Sequence, residues 1–317
     1  MPAISLPSKP NAPLSYDLID NGSDLFVVFI NGLGLPASSW TPTVKLLLDA
    51  SQVGATNSPP LPNILTYDRF GQGATTSRDP ADTLPNREDG YGHGLEDVVA
   101  DLDELIRSLT GTGEAGLIFA SASIGVHVAR LFDQRFPGRV LAHLMLDSNM
   151  GNLGLTDILP DPDAPGFNPE SVLAEDCTSL EQYRAAFERV RVIFDASTKN
   201  PEGLDRRSIS ALLPSASGPA LSEAKNGRRP WLTVVGHDKV HFREESARLM
   251  MMPMSITQRY IQPAWDKYNE ELLKLSSAER TKGVIYAPKC DHFIQRDNPA
   301  FVAEELNKLI QQVQNEL

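Results

Sequence analysis

Six short apolar runs constrain this chain most: LFVVFI (25 to 30), ILTY (64 to 67), LIFAS (117 to 121), LAHLML (141 to 146), WLTVVG (231 to 236) and GVIYA (283 to 287). Each is continuous rather than alternating, the pattern of strands covered on both faces in a mostly parallel sheet. Helical periodicity lies between them. Leu95, Val98, Val99, Leu102, Leu105, Ile106 and Leu109 mark one helix, and Asn298-Pro299 starts another carrying Phe301, Val302, Leu306, Leu309 and Ile310. Strand alternating with helix implies an α/β fold with right-handed crossovers.

The alternation fails from about residue 151 to 228, where no strand is expected. Leu180, Tyr183, Phe187, Val190 and Phe194 mark one helix there, and the rest is rich in Pro, Asp, Ser and Gly. A long insertion between two sheet strands reads as a cap over the carboxyl edge of the sheet. The stretch ITQRYIQPAWDKYNEELLKL, between the last two apolar runs, suggests a second lid element at about 245–275. The domain reading is therefore a core of residues 1–150 and 229–317 with a helical cap at 151–228.

Composition narrows the partners. The 317 residues carry 29 basic and 41 acidic side chains, a net charge of -12, which argues against nucleic acid or an anionic membrane. No segment reaches the roughly 18 apolar residues of a membrane span, and two cysteines, Cys177 and Cys290, make no disulfide framework. The N-terminus lacks a signal-like pattern. A cytoplasmic protein with a small-molecule substrate is expected, without membrane insertion; monomer and homodimer both stay open. The Asn21-Gly22-Ser23 sequon is read as accidental.

Two local motifs compete for chemistry. Gly111-Thr112-Gly113-Glu114-Ala115-Gly116 fits the dinucleotide fingerprint, but that motif needs a strand before it and a helix after it, and here the order is reversed. The stretch LIFASASIGVHVAR (117 to 130) has the correct order for a nucleophile elbow, with Ser123 at the corner and small residues, Ser121 and Gly125, two positions either side. Ser121 is the poorer nucleophile, because Phe119 would fall at a crowded position. A strand-to-helix turn with capping serines is the competing reading.

Other segments bear on this choice. LFVVFI runs into Asn31-Gly32-Leu33-Gly34, YDRFGQGATTS follows the next strand, Gly236-His237-Asp238 closes WLTVVG, and CDHFIQRDNPAF places His292 between the last strand and last helix. Together these resemble the α/β-hydrolase superfamily, in its serine-nucleophile branch with a helical cap, over roughly residues 14–150 and 229–317. The resemblance implies a mostly parallel central sheet with helices on both faces and an inserted helical cap. It also implies a cofactor-free reaction with the order Ser123, Asp238, His292 as nucleophile, acid and base. Backbone N–H groups of Ile124 and Leu33 would then form the oxyanion hole. Two departures stand out: Ser121 replaces a usual glycine, and Asn31 a common histidine.

Asp238 lies two residues past Gly236 where family acids usually lie three past, so Asp147, after LAHLML, is the alternate acid. Asp291 reads as loop structure, and Asp68, Arg69, Gly71 and Gly73 as residues shaping the loop after the second strand of the family pattern. His127, His143 and His241 lack metal-ligand spacing; Cys290 reads as a buried thiol and the LMMMPM methionines as a core-facing helix end. The expected activity is hydrolysis of an ester, lactone or thioester of a fairly hydrophobic small molecule through an acyl-enzyme. Carbon–carbon bond or other non-hydrolytic chemistry on the same three residues, and a ligand-binding receptor or scaffold, remain alternatives.

Overall fold

The computed structural model describes residues 1–53, 60–85, 92–111, 113–173, 176–177 and 179–317. Eight strands form one sheet: β1 (Ala3–Leu6), β2 (Lys9–Ile19), β3 (Leu25–Ile30), β4 (Asn63–Tyr67), β5 (Gly116–Ala122), β6 (Val140–Leu146), β7 (Trp231–Gly236) and β8 (Ile285–Tyr286). Their spatial order is β1-β2-β4-β3-β5-β6-β7-β8. Pairing is antiparallel from β1 to β2 and β2 to β4, and parallel from β4 onwards.

All six apolar runs contribute strands, although GVIYA supplies only the two residues of β8. The N-terminal pair β1 and β2 had no signal of that kind, because β2 is only partly buried and mixes exposed with buried positions. The unbroken apolar runs still resolve into two faces. Phe26, Val28, Ile30, Leu117 and Phe119 pack on one side with helices α2 (Leu95–Thr110) and α3 (Gly125–Arg135). Leu25, Val27, Phe29, Ile118 and Ala120 pack on the other with α1 (Thr41–Val53) and the C-terminal helix α7 (Pro299–Gln314). Period-2 geometry sends neighbours to opposite sides, and helices on both sides bury each.

Gly111 ends α2 in a left-handed conformation (φ 68°) and the chain then enters β5, so the glycine-rich stretch is a helix-to-strand turn; Thr112 within it lies outside the described residues. Between β6 and β7 the chain forms α4 (Leu180–Phe194), capped by Ser179, and several single-turn helices. Contrary to expectation this stretch holds a two-residue strand, Leu204–Asp205, paired in parallel with His93–Gly94 outside the main sheet. Beyond β7 come α5 (Lys239–Met250), a π-helical turn at Thr257–Ile261 and α6 (Gln262–Leu272). One apolar cluster joins Leu155, Tyr183 and Val190 of the first insertion to Met252, Ile261 and Trp265 of the second, over Val126 and Met145. Met252 is buried in it, whereas Met251 and Met254 face solvent.

Among the described residues no helix is long and apolar enough to cross a membrane. Strand order reverses between β4-β3 and β3-β5, and in open α/β sheets such a switch point, at the carboxyl ends of the strands, opens a crevice for ligands. Ser123 and the loop after Ile30 lie at that edge.

Candidate active site

Ser123 follows β5 directly and has φ 54°, in the left-handed region that side chains rarely adopt. Its backbone N–H donates to Leu146 O at 3.0 Å, tying the corner to the end of β6. The neighbours must be small. A Cβ on Gly125 would lie 2.5 Å from Ile30 O and 2.8 Å from Asn31 O, and one on Gly32 would lie 3.3 Å from Ser123 Cβ. Ser121, fully buried, donates to Leu144 O at 3.4 Å and so serves the sheet. Gly125→Ala is therefore expected to destabilise the fold by about 1–3 kcal/mol through overpacking against backbone that cannot yield; thermal unfolding checks this, and an unchanged Tm would contradict the packing.

The serine meets the histidine of the last loop. His292 Nε2 lies 2.9 Å from Ser123 Oγ, and its Nδ1 lies 2.7 Å from Asp147 Oδ2. The carboxylate on His292 is thus Asp147, after β6, and not Asp238. Asp238 is turned to structural use: it caps α5 by accepting from Val240 N and His241 N, and its other oxygen accepts from Lys289 N at 3.0 Å. Both Asp238 oxygens are directed to backbone donors, while His292 Nδ1 faces Asp147.

Asp147 is fully buried, with φ 39°, and its N–H donates to Val235 O at 2.8 Å. Its second oxygen meets a residue that the sequence reading passed over. His237 Nδ1 lies 2.8 Å from Asp147 Oδ1, and His237 N donates to the same oxygen at 3.2 Å. Burial alone would raise the Asp147 carboxyl, but the charge and hydrogen bond of His237, with the bond to His292, outweigh it and hold the group at about 2. Asp147 is therefore ionised at neutral pH.

Facing Ser123 is the loop after β3. The backbone N–H groups of Leu33 and Ile124 donate to no acceptor among the described residues. Buried polar groups hold this loop. Asn31 donates to Tyr67 O at 2.8 Å and Gln72 Oε1 at 2.9 Å, and accepts from Trp40 Nε1 at 2.7 Å. Arg69 donates to Asn31 O (2.8 Å) and Gly32 O (2.9 Å) and pairs with Glu202, which is itself 0% exposed and accepts from Gly34 N at 2.6 Å. Asp68 accepts from Ala37 N and Ala74 N, in keeping with a loop-shaping role.

Remaining candidates stay outside the reacting group. Asp291 accepts from Phe293 N and pairs with Arg296. Cys290 is buried, and burial first, then nearby aspartates, push its thiol up to about 12, far from a reactive thiolate. Burial and the charge of Arg130 push His127 and His143 down to about 3.

The sequence matches the alpha/beta hydrolase family over residues 27–305, and the chain belongs to that family. Among curated proteins none matches it. Solved structures share the fold at low identity. A thermophilic esterase from Thermogutta terrifontis aligns with TM-score 0.54 at 15% identity over 98% of each chain. A carboxylesterase of the thaumarchaeon Nitrososphaera gargenis aligns with TM-score 0.52 at 14% identity over 100% of each. A protein described by its recognition and ring-cleavage of the Pseudomonas quinolone signal aligns with TM-score 0.51 at 15% identity, over 98% of this chain and 100% of its own.

Proposed function

We propose that this chain is a cofactor-free serine hydrolase acting through an acyl-enzyme on an ester, lactone or thioester of a hydrophobic small molecule. The observation that carries the reading is the unbroken line Ser123 Oγ, His292 Nε2, His292 Nδ1, Asp147 Oδ2, with bonds of 2.9 and 2.7 Å. In the resting site His292 accepts the serine proton at Nε2 while Nδ1–H donates to Asp147, which fixes the tautomer and steadies the imidazolium that forms during attack. Oγ adds to the carbonyl carbon, and the developing oxyanion takes the N–H groups of Leu33 and Ile124. His292 then returns the proton to the leaving oxygen or sulfur. A water, deprotonated by the same base, releases the acid.

Residues 151–228 act as the lid, with 245–275 as its second element. Their shared apolar cluster above Val126 and Met145 supports this division. The esterase and carboxylesterase among the similar folds agree with ester chemistry but carry the fold alone.

A fluorophosphonate probe tests the proposal. Peptide mapping is expected to find the label on Ser123, and Ser123→Ala to remove it. Folded protein that takes no label would overturn the serine-hydrolase reading and shift weight to ligand binding without turnover.

A further inference from the structure

His237 is buried, with a side chain only 1% exposed, and both ring nitrogens face oxygen. Nδ1 meets Asp147 Oδ1 at 2.8 Å, an ionised carboxylate that can only accept. Nε2 meets Gln262 Oε1 at 3.0 Å. The amide has one orientation consistent with its surroundings, because Gln262 Nε2 donates to Asp266 Oδ1 at 3.1 Å; turned over, it would set its oxygen against that carboxylate. Asp266 is held in place by hydrogen bonds from Lys239 Nζ at 2.7 Å and the Tyr286 hydroxyl at 3.0 Å. Two acceptors on a single imidazole require two N–H donors.

The flanks suit a cation as well. Phe242 stacks on the His237 ring at 3.9 Å between centroids and 18° between planes, presenting its negative face, and Trp265 stands edge-on at 5.2 Å. The charges that act on the ring are those of Asp147 from the end of β6 and Asp266 from α6; Asp238 and Lys239 follow it in sequence at the start of α5. Asp238 is directed to backbone N–H groups and Lys239 to Asp266.

We propose that His237 is a resident imidazolium that neutralises Asp147 and so sets the basicity of His292, making it a positioning residue of the catalytic pair. This rests on the serine-hydrolase reading of Ser123, His292 and Asp147. Burial works against the charge, but Asp147, Gln262 and Asp266 together raise His237 above the ordinary histidine range. Asp147 thus faces one permanent cation and, during turnover, a second on His292. The transient imidazolium is less stabilised than in a lone Asp–His pair, which makes it a readier proton donor to the leaving group.

Imidazole 15N resonances of the histidine-labelled protein, with His237 assigned by His237→Gln, test the charge directly. Two protonated nitrogens on His237 at pH 7 are expected, and a neutral tautomer there would overturn the proposal. Gln262→Leu, which removes one acceptor and leaves the ring in place, should lower the pH at which that signal titrates; no movement would count against it equally. With an aryl ester or the fluorophosphonate as substrate, His237→Gln is expected to move the acid limb of the pH profile upward by about one pH unit, because Asp147 regains its full negative charge. A limb that stays put would sink the proposal. Loss of Ser123 labelling would instead strike the underlying reading, while the nitrogen spectra still report the charge on His237.

Discussion

Asp147→Asn is expected to slow fluorophosphonate labelling and aryl-ester turnover by about 10⁴-fold, the scale on which losing the anion behind a catalytic histidine acts. An amide at 147 donates where the carboxylate accepted. His292 would then present Nδ1 as the acceptor and carry its proton on Nε2, facing Ser123 Oγ at 2.9 Å with the wrong tautomer. Asp238→Asn makes the matching control, since asparagine caps a helix nearly as well as aspartate, and turnover should remain within about threefold of the parent. Substantial loss at Asp238 with activity kept at Asp147 would reverse the assignment made from the 2.7 Å contact.

This contrast marks where sequence stopped being informative. The elbow was legible because its constraints are local: an apolar strand, a corner, small residues two places either side and a helical period lie within fourteen residues. The start of α7 was legible for the same reason, and Asn298 Oδ1 indeed accepts from Phe301 N at 3.1 Å. The acid was different. Asp147 and Asp238 each follow a parallel strand, and nothing near either one records which loop reaches His292, 145 residues beyond Asp147. The family pattern favoured the later strand, and attention to Asp238 hid the histidine beside it. His237 stands near the place where an acid was expected and turns a positive group toward Asp147 instead. Its signal was present as a polar residue just past the run WLTVVG, yet only the contact with Asp147 gives that polarity a meaning.

The buried pair Arg69–Glu202 was equally hidden, since its members lie 133 residues apart and one sits past the periodic helix of the insertion, in its Pro-, Asp-, Ser- and Gly-rich part. Its removal should have the second large effect. Glu202→Ala leaves the Arg69 guanidinium buried without a counter-charge and Gly34 N–H without an acceptor, a loss expected to cost about 3–5 kcal/mol. In thermal unfolding that corresponds to a fall of roughly 5–10 °C for a chain of this size. Glu188→Ala, which breaks an exposed pair with Arg191, should leave the Tm nearly unchanged. Stability and catalysis can be separated by Arg69→Met with Glu202→Leu, which replaces both charges by apolar groups of similar volume and should recover much of the lost stability. Turnover should not recover with it. Asn31 O and Gly32 O would have lost the guanidinium that fixes them, and Gly34 N–H its acceptor, so the Leu33 N–H would no longer be held toward the carbonyl oxygen at Ser123. Removing one such donor costs about 10²- to 10³-fold in rate. If the double variant regains both stability and rate, the loop after β3 holds its shape without Glu202; if it regains stability alone, Glu202 is the point at which residues 151–228 govern the chemistry proposed at Ser123.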